Sequence, residues 1–229
     1  MSDSTTRPDA TPMTTATDAA GVAPCRPDLP LAPGAVLLRG FANGDAVALR
    51  RALQRVVLIA PFRRMVTPGG FEMTVAMTNC GALGWVTDRS GYRYDPIDPL
   101  SGRPWPALPA SFRRLALRAA AAAGFAGFEP DACLVNRYQP GARLSLHRDA
   151  DERDFSQPIV SVSLGLPAVF LFGGDKRSDK ATRVPLTHGD VVVWGGPSRM
   201  RYHGVLPLRD GPHPRLGGER INLTFRKAG

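Results

Sequence analysis

The residues best suited by type and spacing to bind a metal ion are two histidines and an aspartate in the C-terminal half of the chain. His147 and Asp149 lie at the end of the segment ARLSLHRD, and residues two apart on a strand point to the same face. His203, in RMRYHGV, lies far enough along the chain for the intervening strands to bring it back beside His147 and Asp149. Two histidines and one carboxylate with open coordination positions are the ligands of non-haem Fe(II) oxygenases. The spacing therefore predicts an iron site with room for a bidentate cosubstrate and dioxygen.

A second His-x-Asp sequence offers an alternative pair of ligands. His188 and Asp190 flank Gly189 directly before the segment VVVWGG. Gly-Asp at this place is typical of a tight turn between two strands. Side chains in a turn need not share a face, so we favour His147 and Asp149 as the ligands over this second pair.

The last strand of the sequence has a face suited to binding a dicarboxylate. In ERINLTFRKA, Arg220, Asn222 and Arg226 fall on one face of the predicted strand, and the apolar residues between them fall on the other. Two buried guanidinium groups require an anion, and arginine binds a carboxylate through two parallel hydrogen bonds. Asn136 and Tyr138 share a face of ACLVNRY and can complete the pocket. A cosubstrate such as 2-oxoglutarate fits this arrangement.

Residues 62–106 combine a strand pattern with a long segment rich in Gly, Pro and aromatic residues. FEMTVAMTN alternates in polarity, and Trp85, Tyr92 and Tyr94 follow it among several arginines. Aromatic faces beside guanidinium groups are suited to stacking on bases and pairing with phosphates. Considered alone, the pattern favours aromatic side chains that only hold a loop against the core. Long loops within a compact domain usually serve a function, so this segment is a candidate functional loop.

The elements that must position these residues indicate an α+β fold. Apolar spacing predicts a helix over 46–60 that Pro61 ends. A second helix is expected from Ser111, as its N-cap, to Gly124. Eight short segments from ACLVNRY to RINLTFRKA then follow, separated by Gly, Pro and Asp turns. This succession predicts an antiparallel sandwich or barrel, and hence an α+β class with a β-sandwich core.

Composition limits the class of protein. The chain has 229 residues and a net charge of +9, with 43% hydrophobic and 21% charged residues, which is typical of a globular protein. Residues 1–30 hold almost no large apolar side chains, and we expect them to form a disordered tail. That tail carries a net charge of −2, so residues 31–229 carry +11. The charge permits an acidic partner such as nucleic acid, although biased codon usage gives the same excess of arginine.

The chain shows no feature of a membrane or secreted protein. No run approaches the ~18 apolar residues that a spanning helix needs, which excludes an integral membrane protein. The first residues lack the apolar region of a secretory signal. Cys25, Cys80 and Cys133 are odd in number and far apart, unlike a disulfide framework or a Cys-based zinc site. We therefore expect a cytoplasmic location.

Six segments in chain order carry a resemblance to a known family: MVTPGGFEMTVAMTNCGALGW, PDACLVNRYQPGARLSLHRDADE, PIVSVSLGLPAVFLFGG, HGDVVVWGGPSR, YHG and INLTFR. They resemble the AlkB family of Fe(II)- and 2-oxoglutarate-dependent oxidative demethylases of alkylated nucleic acids. The resemblance covers roughly residues 31–228. It implies a double-stranded β-helix (jelly-roll) core with supporting N-terminal helices and a nucleotide-recognition lid. Residues 31–229 would then form one dioxygenase domain that includes the lid, 62–106.

The resemblance also implies roles for individual residues. The ligands of Fe(II) would be His147, Asp149 and His203. The residues around 2-oxoglutarate would be Asn136, Tyr138, Arg220, Asn222 and Arg226. The residues at the substrate would be Trp85, stacked on the damaged base opposite the His147 ring, Tyr92 and Tyr94 in the lid, Asp151 and Arg177 at the base pocket, and Thr67 and Met77 in the nucleotide-recognition lid. Ala150 departs from the bacterial pattern, which has a lysine there, and this puts one substrate contact in doubt.

The activity implied by the resemblance is demethylation of 1-methyladenine and 3-methylcytosine in single-stranded DNA. Formaldehyde, succinate and CO2 would be the products, with O2 consumed, and RNA is a second candidate substrate. The target base must leave the stack, which favours single strands. Methylation makes the base cationic, and the Asp151 carboxylate would favour that cation. We expect the chain to act as a monomer.

Two other functions stay open. One is a 2-oxoglutarate oxygenase that hydroxylates a protein side chain or a small molecule at the same iron centre. The aromatic and arginine-rich segment 62–106 speaks against it. The other is a non-catalytic nucleic-acid-binding module, which a complete set of iron ligands beside Arg220 and Arg226 makes hard to sustain.

Overall fold

Two β-sheets face each other, and two helices cover the outer face of the larger sheet, in a computed structural model that describes Met1 and residues 28–229. Most of the predicted tail, residues 2–27, lies outside the described residues, and the first strand begins at Leu29. The strands, in chain order, are Leu29–Ala32 (β1), Ala35–Leu38 (β2), Arg63–Val66 (β3), Glu72–Gly81 (β4), Gly84–Asp88 (β5), Gly91–Asp95 (β6), Ile97–Asp98 (β7), Arg103–Pro104 (β8), Ala132–Tyr138 (β9), Leu144–His147 (β10), Ile159–Gly165 (β11), Ala168–Phe172 (β12), Thr182–Leu186 (β13), Val191–Trp194 (β14), His203–Val205 (β15) and Arg220–Arg226 (β16).

The first helix, Ala46–Ile59 (α1), has the extent that the apolar spacing predicted. Leu49, Leu53 and Val56 recur at helical spacing and are buried against the larger sheet. The helix ends just before Pro61, because proline cannot donate the next helical hydrogen bond. A short 3-10 turn, Asn43–Asp45, leads into this helix.

The second helix, Ala110–Ala122 (α2), covers the same sheet face with Phe112 and Leu115. Its N-cap is Pro109, so Ser111 lies in the first turn, and the prediction of Ser111 as the cap was wrong. The proline at the boundary favours the extended conformation of a cap, φ −59 and ψ 140, which leaves no place for a serine cap two residues later. The helix stops before Gly124, whose φ of +88 is typical of a glycine terminator.

The larger sheet has eight strands in the order β1-β2-β14-β11-β16-β9-β4-β3, so β16 lies near its centre. Its Ile221, Leu223 and Phe225 pack against the helices. The residues between them face the smaller sheet, as the period of two predicted. On that face Asn222 stands directly opposite Asn136 of β9.

The smaller sheet has the order β10-β15-β12-β13 and closes the other side of the core. His147 of β10 is the cross-strand neighbour of His203 of β15. A second apolar core lies between the sheets and includes Phe170 and Val184 from the smaller sheet and Trp194 from the larger one. Two facing antiparallel sheets with helices on one side confirm the predicted α+β class and jelly-roll core.

The candidate lid consists of β3 and the first part of β4, which extend the larger sheet, and of two hairpins, β5–β6 and β7–β8. Trp85 and Tyr94 are cross-strand neighbours in the first hairpin. Within residues 28–229, no helix has the length and apolar character that crossing a membrane requires.

Candidate active site

The three predicted iron ligands lie together at one end of the smaller sheet. His147 Nε2 is 3.8 Å from Asp149 Oδ1, and His203 Nε2 is 3.7 Å from Asp149 Oδ2. One ligand atom from each residue lies within 4.8 Å of the others. The two rings come from adjacent strands, with centroids 4.5 Å apart. The structure therefore brings together the three side chains, as predicted from the spacing of His147 and Asp149 on a strand and from the later position of His203 in the chain.

Backbone carbonyls fix which nitrogen of each imidazole can bind a metal. His147 Nδ1 donates to the Ser145 carbonyl at 2.8 Å, and His203 Nδ1 donates to the Arg201 carbonyl at 3.1 Å. A carbonyl oxygen only accepts, so each Nδ1 carries the proton and each Nε2 keeps its lone pair. Burial, and the neighbouring His147, lower the pKa of His203 to about 4, which favours the neutral ring. Both Nε2 atoms point at Asp149.

The third ligand is held as a carboxylate. Burial raises the pKa of Asp149, but the Arg226 guanidinium and the two imidazoles outweigh burial and hold the pKa well below its usual value. Arg226 Nη2 and Nε donate to Asp149 Oδ2 at 2.6 and 2.9 Å. An ionised carboxylate with two neutral imidazoles is the donor set that suits Fe(II) in an open facial site. The residues present therefore fit the metal that the sequence predicted.

The alternative pair of ligands serves a different purpose. His188 Nδ1 accepts a hydrogen bond from the Gly165 N–H at 3.0 Å, and its ring stacks on His213 with centroids 4.6 Å apart. Asp190 forms an ion pair with Arg39 at 2.8 Å. These contacts hold the turn before β14, and neither side chain reaches the cluster around Asp149.

Arg220 has a buried donor suited to a carboxylate. Its side chain is 1% exposed; Nε donates to Ser163 Oγ at 2.9 Å, and the guanidinium lies 4.8 Å from the centre of the Tyr138 ring. Nη1 is buried and has no hydrogen-bond partner among the residues that the structure describes. Asn136 donates to Asn222 at 3.2 Å, and its own Oδ1 likewise has no partner within residues 28–229. Buried polar atoms are nearly always paired, so this wall of the site fits a polar, anionic cosubstrate.

A cavity of about 680 Å³ opens between the two sheets and the lid. The predicted iron ligands lie in its wall together with residues of β16. All but one of the residues that the sequence or the resemblance assigned to the site line this cavity, namely Thr67, Met77, Trp85, Tyr92, Asn136, Tyr138, His147, Asp149, Asp151, Arg177, His203, Arg220, Asn222 and Arg226. Tyr94 is not among them, and its hydroxyl instead contacts the carboxylate of Glu152.

The lid carries its aromatic residues on the β5–β6 hairpin. Trp85 Nε1 donates to Asp151 Oδ2 at 2.7 Å, and the Tyr92 ring stacks on the indole at 5.7 Å. Tyr94 donates from its hydroxyl to Glu152 Oε1 at 2.8 Å, and burial raises its pKa well above the usual value. The lid is therefore fastened to the loop that carries the iron ligand through two hydrogen bonds.

Comparison with known proteins gives the family. Residues 34–226 match the model of the 2OG-Fe(II) oxygenase superfamily. Over 200 residues, 87% of this chain and 93% of the relative, the sequence is 62% identical to Alpha-ketoglutarate-dependent dioxygenase AlkB of Escherichia coli K12. The chain belongs to the AlkB family. As an AlkB-family enzyme it depends on Fe(II) and 2-oxoglutarate.

Other known proteins match with lower identity. The solved structure of OsALKBH1 superposes with a TM-score of 0.76 at 31% identity, covering 88% of this chain and all of that one. Nucleic acid dioxygenase ALKBH1 of Mus musculus is 36% identical over 57% of this chain and 35% of its own length. The resemblance predicted from the six segments is thereby confirmed.

Sequence reasoning missed two charged residues of this AlkB-family site. Glu152 and Arg199 are buried, and their side chains form an ion pair of 3.0 Å. Glu152 also lies 3.2 Å from Arg226. The segment HRDADE contains Glu152 as one acidic residue among several. Nothing in the sequence around Arg199 indicates burial, because its partner is far away in the chain.

Proposed function

We propose that this AlkB-family enzyme is an oxidative demethylase of N-alkylated bases, such as 1-methyladenine and 3-methylcytosine, in single-stranded DNA. The observation that carries the proposal is that iron ligands, buried arginines and an aromatic lid line one cavity. With dioxygen, Fe(II) and 2-oxoglutarate supply the oxidation of an N-methyl group, and the cosubstrate leaves as succinate and CO2. The hydroxymethyl group then leaves the base nitrogen as formaldehyde, which restores the base.

The atoms proposed to bind Fe(II) are those left free to donate a lone pair. His147 and His203 bind Fe(II) through Nε2, and Asp149 binds through a carboxylate oxygen. The residues proposed for 2-oxoglutarate are Asn136, Tyr138, Arg220, Asn222 and Arg226. The unpaired Nη1 of Arg220 supports a carboxylate there, since a dicarboxylate would supply the missing acceptor.

The proposed base site lies between the lid and the iron ligands. Trp85 offers an aromatic face on which the extruded base stacks, with the His147 ring on the other side. Asp151 offers a carboxylate that favours a methylated, cationic base over a neutral one. The other residues proposed for substrate contacts are Tyr92, Tyr94, Arg177, Thr67 and Met77.

The rim of the cavity supports a phosphate-bearing substrate. Arg143, Arg148 and Arg177 line it, and no carboxylate of residues 28–229 lies within 4.0 Å of their charged groups. Arg148 instead lies over the Tyr202 ring at 5.6 Å. Unpaired guanidinium groups at the mouth of a site are suited to phosphates. Arg148 therefore supplies a positive charge close to Ala150, where the bacterial pattern has lysine.

The enzyme is further proposed to act as a monomer in the cytoplasm. Cys80 and Cys133 are buried free thiols, in keeping with a reducing compartment. One polypeptide supplies every side chain of the proposed site. Light scattering of the purified protein at catalytic concentrations would test the monomer, with a dimer mass contradicting it.

The proposal is tested by incubating the enzyme with Fe(II), 2-oxoglutarate and oligonucleotides that carry one 1-methyladenine or 3-methylcytosine. Mass spectrometry should show loss of the methyl group from single-stranded DNA, with one formaldehyde per methyl group lost and at least as much succinate. A matched methylated RNA in the same assay ranks the two nucleic acids. Succinate formation without demethylation of either would indicate an oxygenase of another substrate, and binding without succinate would indicate a non-catalytic module.

A further inference from the structure

Arg199 is a buried arginine whose three donor groups all hold the loop that follows β10. Its Nη1 donates to the main-chain carbonyl of Asp149 at 3.0 Å, and its Nε donates to the Gln157 carbonyl at 3.0 Å. Its Nη2 donates to Glu152 Oε2 at 3.0 Å. The guanidinium thus fixes both ends and the middle of the loop, and one of these ends is the residue that carries the iron-binding carboxylate.

Glu152 connects this arginine to the rest of the site. Its side chain is 2% exposed, and while Oε2 accepts from Arg199, Oε1 accepts from the Tyr94 hydroxyl at 2.8 Å. Oε1 also lies 3.2 Å from Arg226 Nε. One carboxylate therefore contacts the lid, the proposed 2-oxoglutarate site and the loop of the iron ligand.

The four buried charges of this cluster balance only when Arg199 is present. Asp149 and Glu152 are negative, and Arg199 and Arg226 are positive. Arg226 is shared, since it donates to Asp149 and also lies beside Glu152. Without the Arg199 guanidinium, Glu152 Oε2 would be buried and unpaired, and Glu152 would compete with Asp149 for Arg226.

We propose that Arg199, through Glu152 and the Asp149 carbonyl, is a positioning residue that sets the Asp149 carboxylate for the metal and the Arg226 guanidinium for 2-oxoglutarate. This proposal rests on the proposed iron and 2-oxoglutarate site. Arg199 is absent from the cavity wall, and its donors contact the loop after β10 instead. Its removal should therefore weaken both ligands together, which is the pattern expected of a shared support.

The test compares Arg199→Lys with Arg39→Lys. Lysine keeps the charge but cannot place three donors in a planar fork. Arg39 is a matched control, because it also donates to a carbonyl, Pro185 at 2.8 Å, and to a buried carboxylate, Asp190 at 2.8 Å, away from the site. Binding of Mn(II) is measured by titration, and the melting temperature of each variant is measured in parallel.

For Arg199→Lys we expect a Mn(II) dissociation constant about 10-fold higher or more, the usual effect of losing a partner of a metal ligand. The KM for 2-oxoglutarate should rise as well. Arg39→Lys should lower the melting temperature to a similar extent and leave both constants unchanged. Unchanged Mn(II) binding in Arg199→Lys, or an equal loss in Arg39→Lys, would overturn the role of Arg199.

A second variant keeps the test decisive if Arg199→Lys does not fold. Glu152→Gln preserves the size of the side chain and an acceptor for Tyr94, but removes the charge beside Arg226. We expect its KM for 2-oxoglutarate to rise severalfold, and an unchanged KM would overturn the link through Glu152. If the unmodified protein binds no Mn(II), the proposed iron site itself is wrong. If the unmodified protein and Arg199→Lys bind Mn(II) equally well, only the inference about Arg199 is wrong.

Discussion

Trp85 combines two properties that substitution can separate. Its indole face lines the cavity, and its N–H donates to Asp151 at 2.7 Å. Asp151 is also the carboxylate proposed to face the cationic base. When a base enters, the hydrogen bond to Trp85 and the contact with the base draw on the same carboxylate, so stacking and hydrogen bonding need separate tests.

We expect Trp85→Ala to reduce demethylation of methylated oligonucleotide about 10-fold or more, since stacking contributes roughly 1–3 kcal/mol per base. Trp85→Phe keeps an aromatic face and should lose only a few-fold. Neither change should greatly reduce the succinate formed without oligonucleotide, because the iron ligands are intact. The two products are measured in one assay by mass spectrometry, and an equal loss of both would argue against stacking.

Substitution of Arg220 tests the proposed contact with 2-oxoglutarate. We expect Arg220→Gln to raise the KM for 2-oxoglutarate by about 10- to 100-fold, because a hydrogen bond to a charged group contributes roughly 1.5–3 kcal/mol. The buried and unpaired Nη1 is the donor that this change removes. Steady-state kinetics measure the KM. Arg118→Gln, at a half-exposed arginine paired with Asp45, serves as the control and should be neutral.

At the scale of elements, periodicity predicted most of the fold. The alternation in β16 placed Arg220 and Asn222 on the cavity face and Leu223 on the helix face, and the structure confirms both. The limits of α1 followed from apolar spacing, whereas the N-cap of α2 was misplaced because Pro109 occupies that position. Local patterns decide such features, and they are therefore visible in the sequence.

The support of the iron site was not visible in the sequence. Arg199 lies next to the 3-10 turn Gly196–Ser198, and its partners Asp149, Glu152 and Gln157 lie on a loop between β10 and β11. No spacing rule joins two loops that meet only after the sheets have paired. The cluster of two histidines and an aspartate was predictable because strand period and residue type coincide there, and that coincidence is absent for Arg199.

The lid hairpin depends on one close contact that yields a prediction for the element. A Cβ added at Gly84 would clash with the Trp105 ring and lie 2.9 Å from Asn79 Cβ. Trp105 is 5% exposed and donates to the Asp95 carbonyl at 2.9 Å, so the ring cannot readily move. Gly84→Ala should therefore cost about 1–3 kcal/mol of unfolding free energy, as overpacking does.

The position of Trp85 should change with that clash, since it is the next residue in the chain. We expect the KM of Gly84→Ala for the oligonucleotide to rise, and urea denaturation to show the lower stability. Gly44→Ala is the control, because a Cβ there would meet nothing within 4 Å. Wild-type stability and KM in Gly84→Ala would contradict the proposed packing of the lid.

For the whole molecule, the excess of arginine includes residues at the mouth of the cavity. Some arginines away from the cavity pair with acids, as in Arg113–Glu129 and Arg39–Asp190, and others form no ion pair among residues 28–229. Arg143 and Arg148 at the cavity rim lie beyond 4.0 Å from every carboxylate of residues 28–229. The net charge of +9 therefore includes unpaired groups at the place where a phosphate backbone would enter.

This distribution predicts a salt dependence. Affinity for a single-stranded oligonucleotide should fall linearly on a plot of log K against log salt, with a slope of about −0.7 per phosphate contact. Arg148→Gln should reduce that slope by roughly one contact, about 0.7. Fluorescence anisotropy at several salt concentrations measures it. Arg113→Gln removes an arginine that is already paired, and a matching change of slope there would show that only net charge matters.

His147, Asp149 and His203 are proposed to hold the iron that drives demethylation, and one pair of variants tests this role most directly. His147→Ala and His188→Ala are compared for formaldehyde release from a 3-methylcytosine oligonucleotide. The side chain of His147 is 39% exposed, so its loss should leave the fold intact. We expect His147→Ala to abolish formaldehyde release and His188→Ala to retain it. Retained release in His147→Ala, or its loss only in His188→Ala, would contradict the proposed iron site.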